Sequence, residues 1–257
     1  MRFGTLVAVL CLFGCDGLED PVDSDDISDD TSGDTGDTGD SDDTLGGAWD
    51  EFSENVTVYM DGDEVVVETN GLPDHTSPYW SPDHPLYVEA TVAERLVPGF
   101  IDNFTGSYTL RVPASPQLAA SSSGTTLGPI GIARSGSMLY NDREGGNQPI
   151  DDAAGGLDYT GAHTGPSSYH YHLETKAWSE DDDELIGVIA DGFFLFGRKC
   201  ASTDDHPDDL DDSGGHTSTT QYSDEASYHY HIINELYAGQ YILLFAGDYQ
   251  GTPNNIQ

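Results

Sequence analysis

The tetrad Tyr-His-Tyr-His occurs twice in this chain, at Tyr169 to His172 and at Tyr228 to His231, and the two copies hold four of its nine histidines. In an extended segment alternate side chains share a face. His170 and His172 then point one way while Tyr169 and Tyr171 point the other, and His229 and His231 oppose Tyr228 and Tyr230. Imidazoles two residues apart on a strand have Cβ atoms roughly 7 Å apart. Leaning inward, both reach one cation at metal–nitrogen distances of about 2.0–2.1 Å. Each tetrad is also preceded by a glycine-led histidine, Gly161-Ala162-His163 and Gly214-Gly215-His216. A loop containing glycine can fold back so that this histidine meets the strand. The candidate ligands are therefore His163, His170 and His172 in one frame and His216, His229 and His231 in the other. Imidazoles with no thiolate suit Zn(II) or Cu(II). One shared ion and one ion per frame are both open, since pairing the tetrad strands would gather four imidazoles in one place. A hydrogen-bonded polar core is the bland alternative.

Around these frames Asp158, Asp191 and Asp211 are candidates to orient the imidazoles or to ligate directly. His75, from a separate segment, is a candidate extra ligand or general base. The chain has no serine-nucleophile motif, no glycine-rich phosphate loop and no zincin helix motif. Three classes of function stay open. The first is a metal-binding protein. The second is an enzyme, a metal-dependent hydrolase or a copper oxidoreductase, using an open coordination position; its catalytic residues are not specified. The third is a glycan- or peptide-binding or structural module, with Tyr169, Tyr171, Tyr228, Tyr230, Trp80 and Trp178 along a groove.

The elements that must carry these residues read as strands. Val56 to Met60 and Glu64 to Glu68 alternate with period two and flank the turn Asp61-Gly62-Asp63. Ser107 to Val112 is a third run, stopped by Pro113. Others are Gly131 to Arg134, Met138 to Tyr140, Leu185 to Ala190, Phe193 to Phe196 and Tyr241 to Phe245, with a turn at Gly136. Short helical turns fit Pro82 to His84 and Asn147 to Ala154. The expected fold is mainly β, antiparallel, with long loops, as a single domain over residues 48–257 or as two pseudo-repeated halves. Acidic loops at 179–184 and 204–209 read as exposed, solvated charge, with calcium as the alternative.

The N-terminus reads as a leader. Arg2 precedes an apolar run from Phe3 to Phe13, too short to span a bilayer, which ends in Leu12-Phe13-Gly14-Cys15. That pattern resembles a bacterial lipobox. It predicts a signal peptide over residues 1–14 and lipidation of Cys15, with residues 15–47 as an acidic disordered tether. The protein is then exported and lipid-anchored at the cell envelope, touching the membrane only through that lipid. Cys200 is the one cysteine beyond Cys15, so no internal disulfide is possible and core or metal must hold the domain. Asp and Glu outnumber Lys and Arg by 47 to 8, for a net charge of -39. Such a surface repels nucleic acid and draws cations.

From Asn55 to Gly251 the chain resembles the YHYH-domain family of exported bacterial proteins, whose function is uncharacterised. The resemblance rests on the tetrads, on Asn70-Gly71-Leu72-Pro73-Asp74-His75 and on Gly187 to Gly197. It rests also on Asp158 to His163 and Leu210 to His216, where the family's pattern carries cysteines and this chain has Thr160 and Ser213. If those cysteines ligate metal in relatives, the sites here are weaker or harder; if they form disulfides, their loss leaves the histidine sites intact, and the survival of all six histidines favours the second view.

Overall fold

In the computed structural model the structure describes residues 45–90 and 99–257; the expected signal peptide, Cys15 and most of the expected acidic tether lie outside the described residues. Leu45, at the start of the described residues, packs against the core. Strands β1 (Val56–Asp61) and β2 (Glu64–Thr69) form the expected hairpin, and β3 (Tyr108–Pro113) adds antiparallel to β2. Pro113 ends an edge strand, where a missing N–H is tolerated. Next come β4 (Gly131–Ala133), β5 (Met138–Leu139), a small hairpin of β6 (Arg143–Glu144) and β7 (Gln148–Pro149), and the single turn α1 (Asp151–Ala154). The remainder is β8 (Ala162–Thr164), β9 (Tyr169–Tyr171), β10 (Leu185–Ile189), β11 (Phe194–Phe196), β12 (Gly215–Thr220), β13 (Ser223–His231), β14 (Leu236–Tyr237) and β15 (Tyr241–Ile242).

Eight of these strands make one sheet in the order β12-β13-β11-β10-β4-β5-β9-β8. That order is a twofold pattern. β4, β5, β9 and β8 on one side match β10, β11, β13 and β12 on the other, and the antiparallel pair β4–β10 is the seam. In each half the tetrad strand pairs parallel with the second strand (β5–β9, β11–β13) and antiparallel with the strand carrying the glycine-led histidine. The local bonds repeat too. Gly136 N–H donates to Ala133 O and Gly192 N–H to Ile189 O, both at 2.9 Å, in the turns that join each first pair. His172 N–H donates to Gly161 O at 2.9 Å, and His231 N–H to Gly214 O at 2.8 Å. The expectation of two pseudo-repeated halves is met within one compact unit.

The tetrads alternate as their pattern requires. Tyr169, Tyr171 and Tyr230 are fully buried and join the main core with Val65, Leu110, Ile132 and Val188. Their hydroxyls need partners there. Tyr169 donates to Asp158 Oδ2 at 2.6 Å, Tyr228 to Asp211 Oδ2 at 2.8 Å and Tyr230 to Asp191 Oδ2 at 2.6 Å, while Tyr171 meets Ser135 Oγ at 2.9 Å. With Trp80 also buried, these aromatic rings form core rather than the wall of a groove.

Two sequence expectations change. Tyr241 to Phe245 is strand only at Tyr241–Ile242; Leu244 and Phe245 are buried core residues, so their apolar run reflects burial rather than pairing. Pro82 to His84 forms turns without a helix, whereas α1 falls inside the predicted 147–154 stretch. Among the described residues no helix is long and apolar enough to cross a membrane.

The folded-back loops depend on glycine. Gly161 and Gly214 have φ of +80° and +82°, and a Cβ at Gly161 would lie 2.7 Å from Leu173 O, one at Gly214 2.9 Å from His231 O. Gly161→Ala and Gly214→Ala should each lower unfolding free energy by about 1–3 kcal/mol, read from urea denaturation. Unchanged midpoints would show that the loops do not constrain the frames.

Candidate metal centres

The structure brings the six frame histidines into two groups rather than one. His163, His170 and His172 form the first, with one ligand atom from each all lying within 4.8 Å of one another. His216, His229, His231 and Cys200 form the second by the same measure. The tetrad strands do not pair: four strands lie between β9 and β13, which is about 24 Å along a sheet at ~4.8 Å per step. Each frame therefore holds its own group.

In the first centre, β8 and β9 set His163 opposite His170 in register. His172 Nδ1 lies 2.7 Å from Asn141 O, and His170 Nδ1 lies 3.2 Å from Ser168 O. A carbonyl only accepts, so each Nδ1 carries the proton and Nε2 is left as a bare acceptor. His172 Nε2 and His163 Nε2 are buried without hydrogen-bond partners. Glu144 on β6 brings its Oε1 to 3.2 Å from His163 Nε2 and 3.4 Å from His172 Nε2, and that oxygen also lacks a hydrogen-bond partner. Tyr140 stacks on His170 with ring centres 3.8 Å apart. A cavity of about 580 Å³, lined by Leu127, Tyr140, Arg143, Glu144, His163 and His170, opens beside the group.

The second centre is built the same way. β12 sets His216 opposite His229 on β13. His231 Nδ1 donates to Gly197 O at 2.9 Å, His229 Nδ1 to Ser227 O at 2.9 Å and His216 Nδ1 to Asp209 Oδ1 at 2.7 Å. All three protons are thus turned outward. His229 Nε2 and His231 Nε2 are buried without partners, and His216 Nε2 faces Cys200 Sγ at 3.5 Å and Ser218 Oγ at 3.2 Å. Cys200 is buried and free. The expectation of thiolate-free sites is corrected here: one group includes a cysteine.

Several other expected site residues lie elsewhere. Asp158, Asp191 and Asp211 hold tyrosine hydroxyls and backbone N–H groups, with no imidazole partner among their hydrogen bonds. His75 Nε2 meets Tyr171 OH at 2.6 Å, on the tyrosine face, so the structure does not bring it to the imidazoles. Thr160 hydrogen-bonds Asp158 and Tyr169, and Ser213 Oγ accepts from Asp248 N–H and Gln250; neither belongs to a histidine group. The acidic loops are used by the protein itself, Asp181 against His206 and Arg198 and Asp209 against His216. Asp209 stays exposed, as expected of its loop, while its carboxylate also holds His216. Glu144, Cys200 and Asp209 were missed. A signal existed for Cys200, as the one ligating thiol in the domain; Glu144 and Asp209 had none among 47 acidic residues.

Burial disfavours the imidazolium form of the four tetrad histidines. It holds His172 and His229 down to about 4 and His231 to about 3, and it pushes His170 well below the usual histidine value with help from the neighbouring His172 and His163. Burial alone would raise the Glu144 carboxyl, but His163 and His172 outweigh it and leave it below its ordinary value. In the unfolded chain these imidazoles titrate at the ordinary 6.5. Below that pH the unfolded state binds more protons, so the stability these groups contribute is complete above 6.5 and is lost as pH falls toward 4 and 3. Metal-free protein should therefore lose up to about 1.4 kcal/mol per pH unit per histidine between pH 6.5 and 4.5, measured by urea unfolding in a chelator. The slope should shrink in His229→Gln and His231→Gln. A flat profile in the native chain would contradict neutral burial.

The comparisons with known proteins fit this geometry. The family model described as YHYH protein matches residues 109–208. No curated protein and no solved structure matches the chain. The matched stretch contains β4, β5, β8, β9, β10, β11, Glu144 and Cys200, and it stops before the second tetrad. That stretch holds the first histidine frame whole, and over it the chain is similar to the YHYH protein family.

Proposed function

We propose that this domain is a metal-binding module of the cell envelope that holds one divalent cation, Zn(II) or Cu(II), in each histidine frame. The observation that carries the reading is the set of buried, unpartnered nitrogens His163 Nε2, His172 Nε2, His229 Nε2 and His231 Nε2, with Glu144 Oε1 among them. Leaving a buried polar atom unpaired costs about 1–3 kcal/mol. Acceptor nitrogens such as those of His229 and His231, whose protons sit on Nδ1, cannot pair with each other, whereas a cation between them satisfies both. The net charge of -39 favours delivery of cations from solution. Attachment through Cys15, with the acidic segment as a spacer, would keep the domain within some tens of Å of a membrane surface.

Elemental analysis of protein purified without a polyhistidine tag should find about two metal ions per chain. His170→Ala with His172→Ala should remove one, and His229→Ala with His231→Ala the other, with far-ultraviolet circular dichroism retained. A folded protein that stays metal-free in excess Zn(II) and Cu(II) would overturn the reading. For the anchor, labelled palmitate should enter the native chain and not Cys15→Ser; equal labelling of both would exclude Cys15.

A further inference from the structure

The two centres share a frame but differ in one donor. Asn141 O receives the Nδ1–H of His172, and Gly197 O that of His231, at equivalent places in the two halves. Three residues beyond Asn141 comes Glu144, and three beyond Gly197 comes Cys200. The chain thus delivers a fourth donor to each histidine group from the same point of its repeat, a carboxylate in one half and a thiol in the other. We propose that Glu144 is the fourth donor of the first centre, at the position Cys200 fills in the second, so that one duplicated frame makes a hard oxygen-bearing site and a soft thiolate-bearing site that select different cations.

The distances support donor roles for both. In a tetrahedral site with metal–nitrogen and metal–oxygen bonds of about 2.1 Å, donors stand about 3.4 Å apart; with a sulfur at about 2.3 Å, nitrogen and sulfur stand about 3.6 Å apart. Glu144 Oε1 is 3.2 and 3.4 Å from the nitrogens of His163 and His172, and Cys200 Sγ is 3.5 Å from His216 Nε2. Glu144 closes on two of its three histidines as it stands. Carboxylate oxygen favours harder ions such as Mn(II), and thiolate favours soft ones. The first centre also borders the 580 Å³ cavity, which gives its ion a route in and out.

The inference rests on the metal-binding reading, and the test separates the two. Each centre is isolated in the full chain by removing the other's tetrad histidines, and Cd(II) and Mn(II) affinities are measured by competition. The Cd(II)-to-Mn(II) preference should be at least about tenfold greater at the second centre, with a sulfur-to-cadmium absorption band there alone. Glu144→Gln, which keeps shape, should weaken Mn(II) at the first centre at least about tenfold, since even outer partners of a site carry that much, and should leave the second unchanged. Glu144→Cys should bring the sulfur band to the first centre, and Cys200→Asp should abolish it at the second. Equal preferences at the two centres, or an unaffected Mn(II) affinity in Glu144→Gln, would overturn the donor assignment while metal binding itself stood. Failure of both isolated centres to bind either ion would bring down the metal-binding reading and the assignment together.

Discussion

The hydrogen bond from a histidine Nδ1–H to a backbone oxygen is the constraint on which the two centres depend. At His172, His229 and His231 a carbonyl takes that proton at 2.7–2.9 Å, and at His216 a carboxylate does. Each bond fixes a tautomer and a ring orientation together. The consequence is a cluster of lone pairs aimed inward, with burial holding His172, His229 and His231 neutral. Such an arrangement opposes folding in the absence of a cation and favours it in the presence of one. Without those oxygens the same histidines could rotate and pair with one another, and the tetrads would be an ordinary polar core.

Delivery of these rings is the task of the sheet. Period-two alternation divides each tetrad into an imidazole side and a phenol side, and the phenol side is anchored by Asp158, Asp191 and Asp211. Burial, and then the charge of Asp158, push the Tyr169 phenol far above its usual range, so it stays a donor. The aspartates thus act on the far side of the strand from the histidine groups, holding in place the backbone from which the imidazoles project. Repetition of this unit about the β4–β10 seam gives two histidine groups from one design, and what distinguishes them is the residue that follows the second strand of each half, Glu144 or Cys200.

Much of this was legible in the residues. The strands through both tetrads, the hairpin around Gly62, the turn at Gly136 and the two histidine frames follow from local pattern, because alternation and glycine placement are short-range signals. The failures are long-range. Asp158 and Asp211 stand beside their histidines in sequence yet face the other way across the sheet, and nothing local reveals that their partners are tyrosines. His75 is drawn to the same side by Tyr171, far along the chain. Cys200 and Glu144 come to the imidazoles from loops whose course is set by the sheet order, which no short window contains. Tyr241 to Phe245 shows the reverse error, a buried apolar run with strand-like composition and little pairing.

The most direct measurement of the central claim is nitrogen-15 NMR of the imidazole rings. In metal-free protein at pH 7, His172, His229 and His231 should show a protonated Nδ1 and a bare Nε2, and Zn(II) should displace the Nε2 signals while each Nδ1 proton stays in place. Protons on Nε2 in the metal-free state, or Nε2 signals unmoved by excess Zn(II) in folded protein, would contradict it.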